Sequence, residues 1–426
     1  MKPGVSNAGT LDPSFGDGGK FYPALPGDSH GIIRAVTMGP DNKIYYGGSF
    51  LHSKYEHKYF LGRLNPDGSA DTTFGSNPKG IVIDNFDGRG LVQCDAITVT
   101  NDKQHPKVFW VGQFPLFGKI ALARYNADGT PDKTFGATNT GKVVLDLEPS
   151  QTASSESDAR YLPRRSPGSS SGAAQTLPGG KLLIYKYHWV DFARPAWGYI
   201  IRLNLDGSLD TSLNESGYFS VRHPDYSQKF TQLTSIMVQD DGKYLGCGAV
   251  WDADSPHIPM FVRYDTDGNP DDSFGTEGFA LVTNSEGRAL RLSSMAKQKN
   301  DRILGIGAAI PGFSHGVLIS IDSQGTLLTQ LQTQLSGSET FWTQGAVQKD
   351  DKCVVVGGLK QNGEFEVVAA RFLPEGTLDP EYNGKGWVST RLDQESLGFA
   401  MAMQEDDKIV VAVEGASQPT LLRYLG

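Results

Sequence analysis

Apolar residues alternate with polar or small ones in short runs along the whole chain, and each run stops at a cluster of Gly, Asp, Asn or Pro. The first clear case is Arg34-Ala-Val-Thr-Met38, a turn at Pro40-Asp-Asn42, then Lys43-Ile-Tyr-Tyr-Gly-Gly-Ser-Phe50. Alternation on both sides of a polar turn predicts a hairpin. A variable stretch, Leu51 to Lys58, leads to a third strand over Tyr59 to Leu64, the turn Asn65-Pro-Asp-Gly68 and a fourth strand over Gly80 to Ile83. Four strands therefore make one unit. First strands of the same kind begin again at Cys94, Gly172, Leu233, Leu292, Thr343 and Phe399, and each meets a short polar turn such as Asp241-Gly242 or Asp350-Asp351.

A longer pattern recurs inside each unit. Arg63-Leu-Asn-Pro-Asp-Gly-Ser-Ala-Asp71-Thr-Thr-Phe74-Gly75 returns at Arg124 to Gly136, Arg202 to Asn214, Arg263 to Gly275 and Arg371 to Asn383. A worn copy starts at Ser320, and a split copy has its first part at Arg423 to Gly426 and its last part at Thr10 to Gly16. Arg and Asp are eight positions apart in every intact copy, and the copy with Ser320 for Arg also has Leu328 for Asp. Residues gained and lost together predict contact. The expected salt bridges are Arg63 with Asp71, Arg124 with Asp132, Arg202 with Asp210, Arg263 with Asp271 and Arg371 with Asp379, and none in the fifth unit. Arg423 has no Asp eight positions on, so its expected partner is Asp12, with Lys20 to Leu25 pairing with Thr420 to Tyr424 as the outer strand of the last unit.

Seven hairpins and seven copies of the pattern agree in number. Four-stranded units repeated round an axis, one of them completed from both ends of the chain, define an all-β, seven-bladed β-propeller. The expected organisation is one domain over 1–426, interrupted by a long loop at 148–171 rich in Ser, Pro and Gly. The pattern at Arg124 to Gly136, with an upstream Asp-Gly-Lys hairpin as at Asp241-Gly242-Lys243, resembles the bacterial delta-60 repeat family over essentially the whole chain. That resemblance implies a bacterial propeller and no catalytic residues. The chain departs from it at Ser320 and Leu328, at Leu213-Asn214 in place of Phe-Gly, and at the 148–171 insertion.

Composition narrows the function. Gly makes up 51 of 426 residues, above the usual share of about 7%, and the excess is assigned to turns. No apolar run approaches the roughly 20 residues that span a bilayer, and Met1-Lys-Pro-Gly-Val-Ser lacks the apolar core of a secretory signal. The expectation is a soluble, monomeric protein, cytoplasmic or exported by a signal-independent route. Cys94, Cys247 and Cys353 lie far apart, so they predict neither a disulfide framework nor a zinc site. A net charge of −9, with Arg160, Arg164 and Arg165 as the only basic cluster, argues against nucleic acid. Oxygen donors alternate at Asp265-Thr-Asp267-Gly-Asn269-Pro-Asp271, but the spacing is not that of an EF-hand and reads as turn chemistry, so no metal or other cofactor is expected. His-x-x-x-His spacing, a nucleophile elbow and a Walker loop are all lacking.

Topology places the binding candidates. First-to-second and third-to-fourth turns share one face of the ring and are short and repeated. The other face carries every variable loop, and such loops on a rigid scaffold are where binding residues gather. Tyr55, His57, His188, Trp189, Asp191, Trp251 and His257 are the binding candidates there. They predict a non-enzymatic scaffold that recognises a protein or a glycan. The alternatives are an enzyme acting on a polysaccharide or other polar substrate at the axial mouth, with His188, Asp191, Asp252 and His257 as its candidates, and a structural module of a larger secreted assembly.

Overall fold

The computed structural model describes residues 7–26, 31–53, 56–75, 80–86, 90–114, 119–147, 174–188, 197–226, 230–252, 256–283, 287–310 and 312–426. These form seven four-stranded antiparallel blades. Blade one has Gly31–Met38, Ile44–Ser53, Glu56–Leu64 and Ile81–Asp84, and blade two has Gln93–Val99, Val108–Phe114, Lys119–Tyr125 and Lys142–Leu145. Blade three follows with Ala174–Thr176, Leu182–His188, Trp197–Leu203 and Tyr218–Val221, and blade four with Phe230–Val238, Tyr244–Trp251, Ile258–Tyr264 and Phe279–Leu281. Blade five has Ala289–Lys297, Ile303–Ile310, Gly316–Ile321 and Leu327–Thr333, and blade six Thr340–Val347, Cys353–Gln361, Glu364–Phe372 and Trp387–Thr390. Blade seven joins Leu397–Met403, Ile409–Glu414 and Thr420–Tyr424 to Lys20–Phe21 from the other end of the chain.

The core is divided into seven apolar layers, one between each pair of neighbouring blades. Tyr45, Tyr59 and Phe74 of blade one meet Cys94, Val108 and Trp110 of blade two, for example, and Phe399 and Leu421 of blade seven meet Ile33, Phe50 and Phe60 of blade one. Each sheet is therefore buried on both faces. That explains the near-continuous apolar second strands, such as Cys353–Gln361, which is buried from Cys353 through Leu359.

A β-bulge interrupts six of the first strands, at Arg34, Asp95, Thr234, Ser293, Thr343 and Phe399. The bulge pushes a backbone carbonyl towards the second strand, where only Gly fits. A Cβ at Gly48 would lie 1.8 Å from the Ile32 carbonyl oxygen, one at Gly248 1.8 Å from that of Gln232, and one at Gly357 1.9 Å from that of Phe341. Part of the Gly excess thus belongs to strands, not to turns as composition alone suggested. The bulged residue can also tie blades together: Thr234 Oγ1 donates to the Leu292 carbonyl at 2.9 Å and Thr343 Oγ1 to that of Gly398 at 2.6 Å.

Closure is shorter than expected. Lys20 pairs with Leu422 and Phe21 with Leu421, and the strand ends there, not at Leu25. Pro23 has no N–H to extend a ladder. The turn of blade seven is rebuilt from both ends of the chain, with the Leu425 N–H donating to Thr10 at 2.9 Å and the Asp12 N–H to Arg423 at 2.8 Å.

Candidate functional site

The turn face is built around one side chain per blade, the Arg of the repeat. Arg63 Nε donates to Asp71 Oδ2 at 2.8 Å, and Nη2 donates to Thr73 at 3.1 Å. The guanidinium lies 4.7 Å over the Phe74 ring, and Nη1 crosses to the Ala127 carbonyl in the turn of blade two. Asp71 Oδ1 accepts from the N–H and hydroxyl of Thr73. Asp71, Thr73 and Phe74 of the pattern therefore all touch the Arg or its carboxylate. Arg124, Arg202, Arg263 and Arg371 each bond Asp132, Asp210, Asp271 and Asp379 through Nε at 2.6–2.9 Å.

A second cation completes the cluster, legible in the sequence as the Lys of the Asp-Gly-Lys hairpin but not as a partner of the Asp. Lys43, Lys107, Lys181, Lys243 and Lys352, each just after a first-to-second turn, place Nζ within 3.2 Å of the same carboxylate oxygen. Burial alone would raise the Asp71 carboxyl. The bonds from Lys43 and Thr73 and the charge of Arg63 outweigh it and hold the group well below the usual carboxylate range. The same balance brings Asp132 to about 2.

Blade five loses the whole arrangement. Ser320 donates to Gln298 at 2.9 Å, and Arg302, at the Lys position, turns to Asp351 of blade six at 3.3 Å. In blade seven, Arg423 reaches Asp12 at 2.8 Å across the two ends of the chain, through Nη2. Its Nε, the bonding atom in the other Arg-bearing blades, has no partner among the described residues. Arg423 also donates to the Pro66 carbonyl of blade one, so this cluster fastens the ring shut.

Turn carboxylates outside the clusters are occupied as well. Asp67 Oδ1 accepts from the N–H and hydroxyl of Ser69. Asp265 Oδ1 accepts from the N–H groups of Asp267 and Asn269, at 2.9 and 2.8 Å. The alternating donors of that loop serve its own backbone.

The variable face is different. Phe230, Trp251 and His257 come from three neighbouring strand ends of blade four and form a ladder of nearly parallel rings. Centroids are 5.1 Å apart at 7° for the first pair and 4.2 Å apart at 8° for the second. The two candidates Trp251 and His257 are thus in contact, and Trp251 lies between two rings with little face left for a ligand. The His257 carbonyl accepts from Leu290 of blade five at 3.1 Å. Burial, then the charge of Arg291, pushes its imidazole down to about 4, and Nδ1 has no partner among the described residues. Its side chain is neutral at physiological pH. Arg291 donates in turn to Gln232 at 2.7 Å, so cation, amide and rings share the mouth between blades four and five.

A second ring group follows round the ring. Phe313 packs on Phe341 at 4.7 Å, and Phe341 on Phe365 at 5.2 Å. Between blades six and seven, Lys20, Tyr22, Arg391, Asp393 and Ser417 line an open cavity of about 330 Å³. His57 is half-buried in blade one opposite Leu51, away from Trp251 and His257 of blade four, and burial lowers its pKa. His188 ends the second strand of blade three, but its side chain lies outside the described residues. So do Tyr55, Trp189, Asp191, the 148–171 insertion and its Arg cluster. Asp252 follows Trp251 directly and is half-buried.

Fold and geometry define a seven-bladed β-propeller with a self-satisfied turn face and a ring-bearing variable face. A family model described as a domain of unknown function (DUF5122) β-propeller matches residues 39–74, 117–135, 198–213, 239–274 and 348–382. No curated protein matches the sequence. Among solved structures, the chain is similar to a protein of unknown function from Dyadobacter fermentans, at 9% identity and a TM-score of 0.48, with 96% of this chain and 98% of that one covered. It is similar to Chaetomium thermophilum Sqt1 bound to the N-terminus of the ribosomal protein L10, at 11% identity and a TM-score of 0.50, with 93% and 97% covered. Galerina marginata prolyl oligopeptidase B gives 12% identity and a TM-score of 0.46, with 93% of this chain but 48% of that one covered.

Proposed function

We propose that this protein is a non-enzymatic binding scaffold of the bacterial delta-60 repeat type, which takes a protein segment or a glycan on its variable face. The contrast in side-chain use carries this reading. Carboxylates and hydroxyls of the turn face are engaged by the turns themselves, whereas the other face gathers Phe230, Trp251, His257 and Phe313 beside Arg291. Aromatic and Arg side chains carry interface energy out of proportion to their number. Tyr55, His57, His188, Trp189 and Asp191 belong to the same proposed surface.

A protein segment fits better than a sugar ring at blade four. Sugar stacking needs an open indole face, and both faces of Trp251 are covered. Sqt1, with the N-terminus of L10 bound, is an instance of a ligand of that class on a ring of similar fold. The test is to screen the protein against immobilised peptides and a glycan array. Peptide hits that disappear with His257→Ala and Phe313→Ala support the reading, glycan hits alone shift it to sugars, and turnover of any probe overturns it in favour of an enzyme.

A further inference from the structure

The outer strands of the blades are unequal. Lys20–Phe21, Ile81–Asp84, Lys142–Leu145, Tyr218–Val221, Phe279–Leu281 and Trp387–Thr390 have two to four residues each. Leu327–Thr333 of blade five has seven. It pairs with Gly316–Ile321 on its inner side and with no other described strand. Short length and charged side chains protect a sheet edge from pairing with another chain. Here both protections are missing: Ser323 to Ser338 contains no charged residue, and Leu327 and Leu328 are 44% and 45% exposed. Leu331 faces the layer between blades five and six, which holds the strand in place.

The sequence of this edge identifies what would cover it. Thr329-Gln330-Leu331-Gln332-Thr333 reads the same in both directions. Two antiparallel copies centred on Leu331 would set Leu331 opposite itself, each Gln330 opposite Gln332 and each Thr329 opposite Thr333. These are like-with-like pairs of the kind that stabilise neighbouring strands. We propose that two copies of this chain join rim to rim through Leu327–Thr333, making one continuous sheet of their two fifth blades. A net charge of −9 opposes the approach of two rings, and an uncharged edge is where that repulsion is least. The contact is isologous, so each copy uses the only such edge among its described residues and assembly stops at two. The variable faces stay open. A dimer departs from the monomer expected from the sequence and does not depend on the binding role.

Sedimentation velocity over a concentration series into the hundreds of micromolar tests the proposal with two charge-swapped variants. One carries Thr329→Lys and Thr333→Lys, the other Thr329→Glu and Thr333→Glu. The proposed register sets like charges opposite each other within either variant and opposite charges together in a mixture. The expected result is a concentration-dependent dimer for the natural chain, single rings for each variant alone, and a dimer again on mixing. The mixing arm also shows that the variants are folded. A natural chain that stays single at every concentration, one that grows beyond two, or variants that fail to recombine would overturn the proposal.

Discussion

The two faces of the ring are made from the same strands and use their side chains in opposite ways. On the turn face, an Arg, an Asp and a Lys recur in blades one to four and six, with a ring under the Arg in each of these but blade three, and their charged groups bond one another. On the variable face, rings stack beside a neutral His and an Arg. Strict repetition marks the part that holds the ring together, and departure from it marks the part proposed to recognise a partner. Blade five shows what the repeated cluster contributes, because it folds without one by substituting Ser320, Gln298 and the Arg302 to Asp351 bond.

The largest effect is expected where the turn face is split between the chain ends. Deleting residues 1–25 removes the outer strand of blade seven, takes Phe15 out of the layer against blade one and leaves Arg423 buried without Asp12. Losing one partner of a buried ion pair costs about 3–5 kcal/mol, and the strand adds to that, so urea unfolding should show a loss beyond this figure. A truncated ring that unfolds at the same urea concentration would detach the N-terminal segment from the fold.

Next in size comes a direct contrast between blades. Arg63→Ala leaves Asp71 buried with Lys43 alone and should cost about 3–5 kcal/mol. Ser320→Ala, at the equivalent place in blade five, removes one neutral hydrogen bond and should cost about 1 kcal/mol. Equal losses would mean that the cluster adds nothing to the repeat.

Acid separates the faces by pH. The clustered carboxylates have folded pKa values below their unfolded ones, so their stabilisation is complete above about pH 4 and lost as pH falls through the folded values. For Asp132 that value is about 2. His257 acts at higher pH: buried neutral, with its pKa lowered to about 4, it binds protons more readily when unfolded. Its share of stability is therefore lost as pH falls from about 6.5 towards 4. Thermal melts from pH 7 to 2 should show a shallow fall followed by a steep one, with His257→Phe removing part of the first and Asp132→Asn part of the second.

The smallest effect belongs to the variable face itself. His257→Ala takes one ring off the ladder and should cost about 0.5–1.5 kcal/mol at neutral pH. A loss as large as that of Arg63→Ala would make the ladder a structural core.

The sequence carried the ring and the Arg–Asp pairing because both repeat at fixed spacing, and Ser320 with Leu328 supplied a natural double substitution. The bond from the hairpin Lys to the Asp escaped notice because the distance from Lys to Arg changes with the loop between second and third strands. The ladder escaped for a related reason: Trp251 and His257 were legible as loop rings, but their stacking on each other and on Phe230 depends on strand register that one sequence does not show. The Gly of the second strands answers a bulge in the first, a tertiary contact that composition assigned to turns.

The division of labour between the faces is tested most directly by measuring stability and peptide binding on the same two proteins, Arg63→Ala and Phe313→Ala. The account predicts opposite losses. Arg63→Ala should unfold at much lower urea yet bind peptide hits like the natural chain while folded, and Phe313→Ala should lower its unfolding midpoint only slightly and lose the hits. Binding lost with Arg63→Ala and kept with Phe313→Ala, at equal folded fractions, would contradict it and move the recognition surface to the turns.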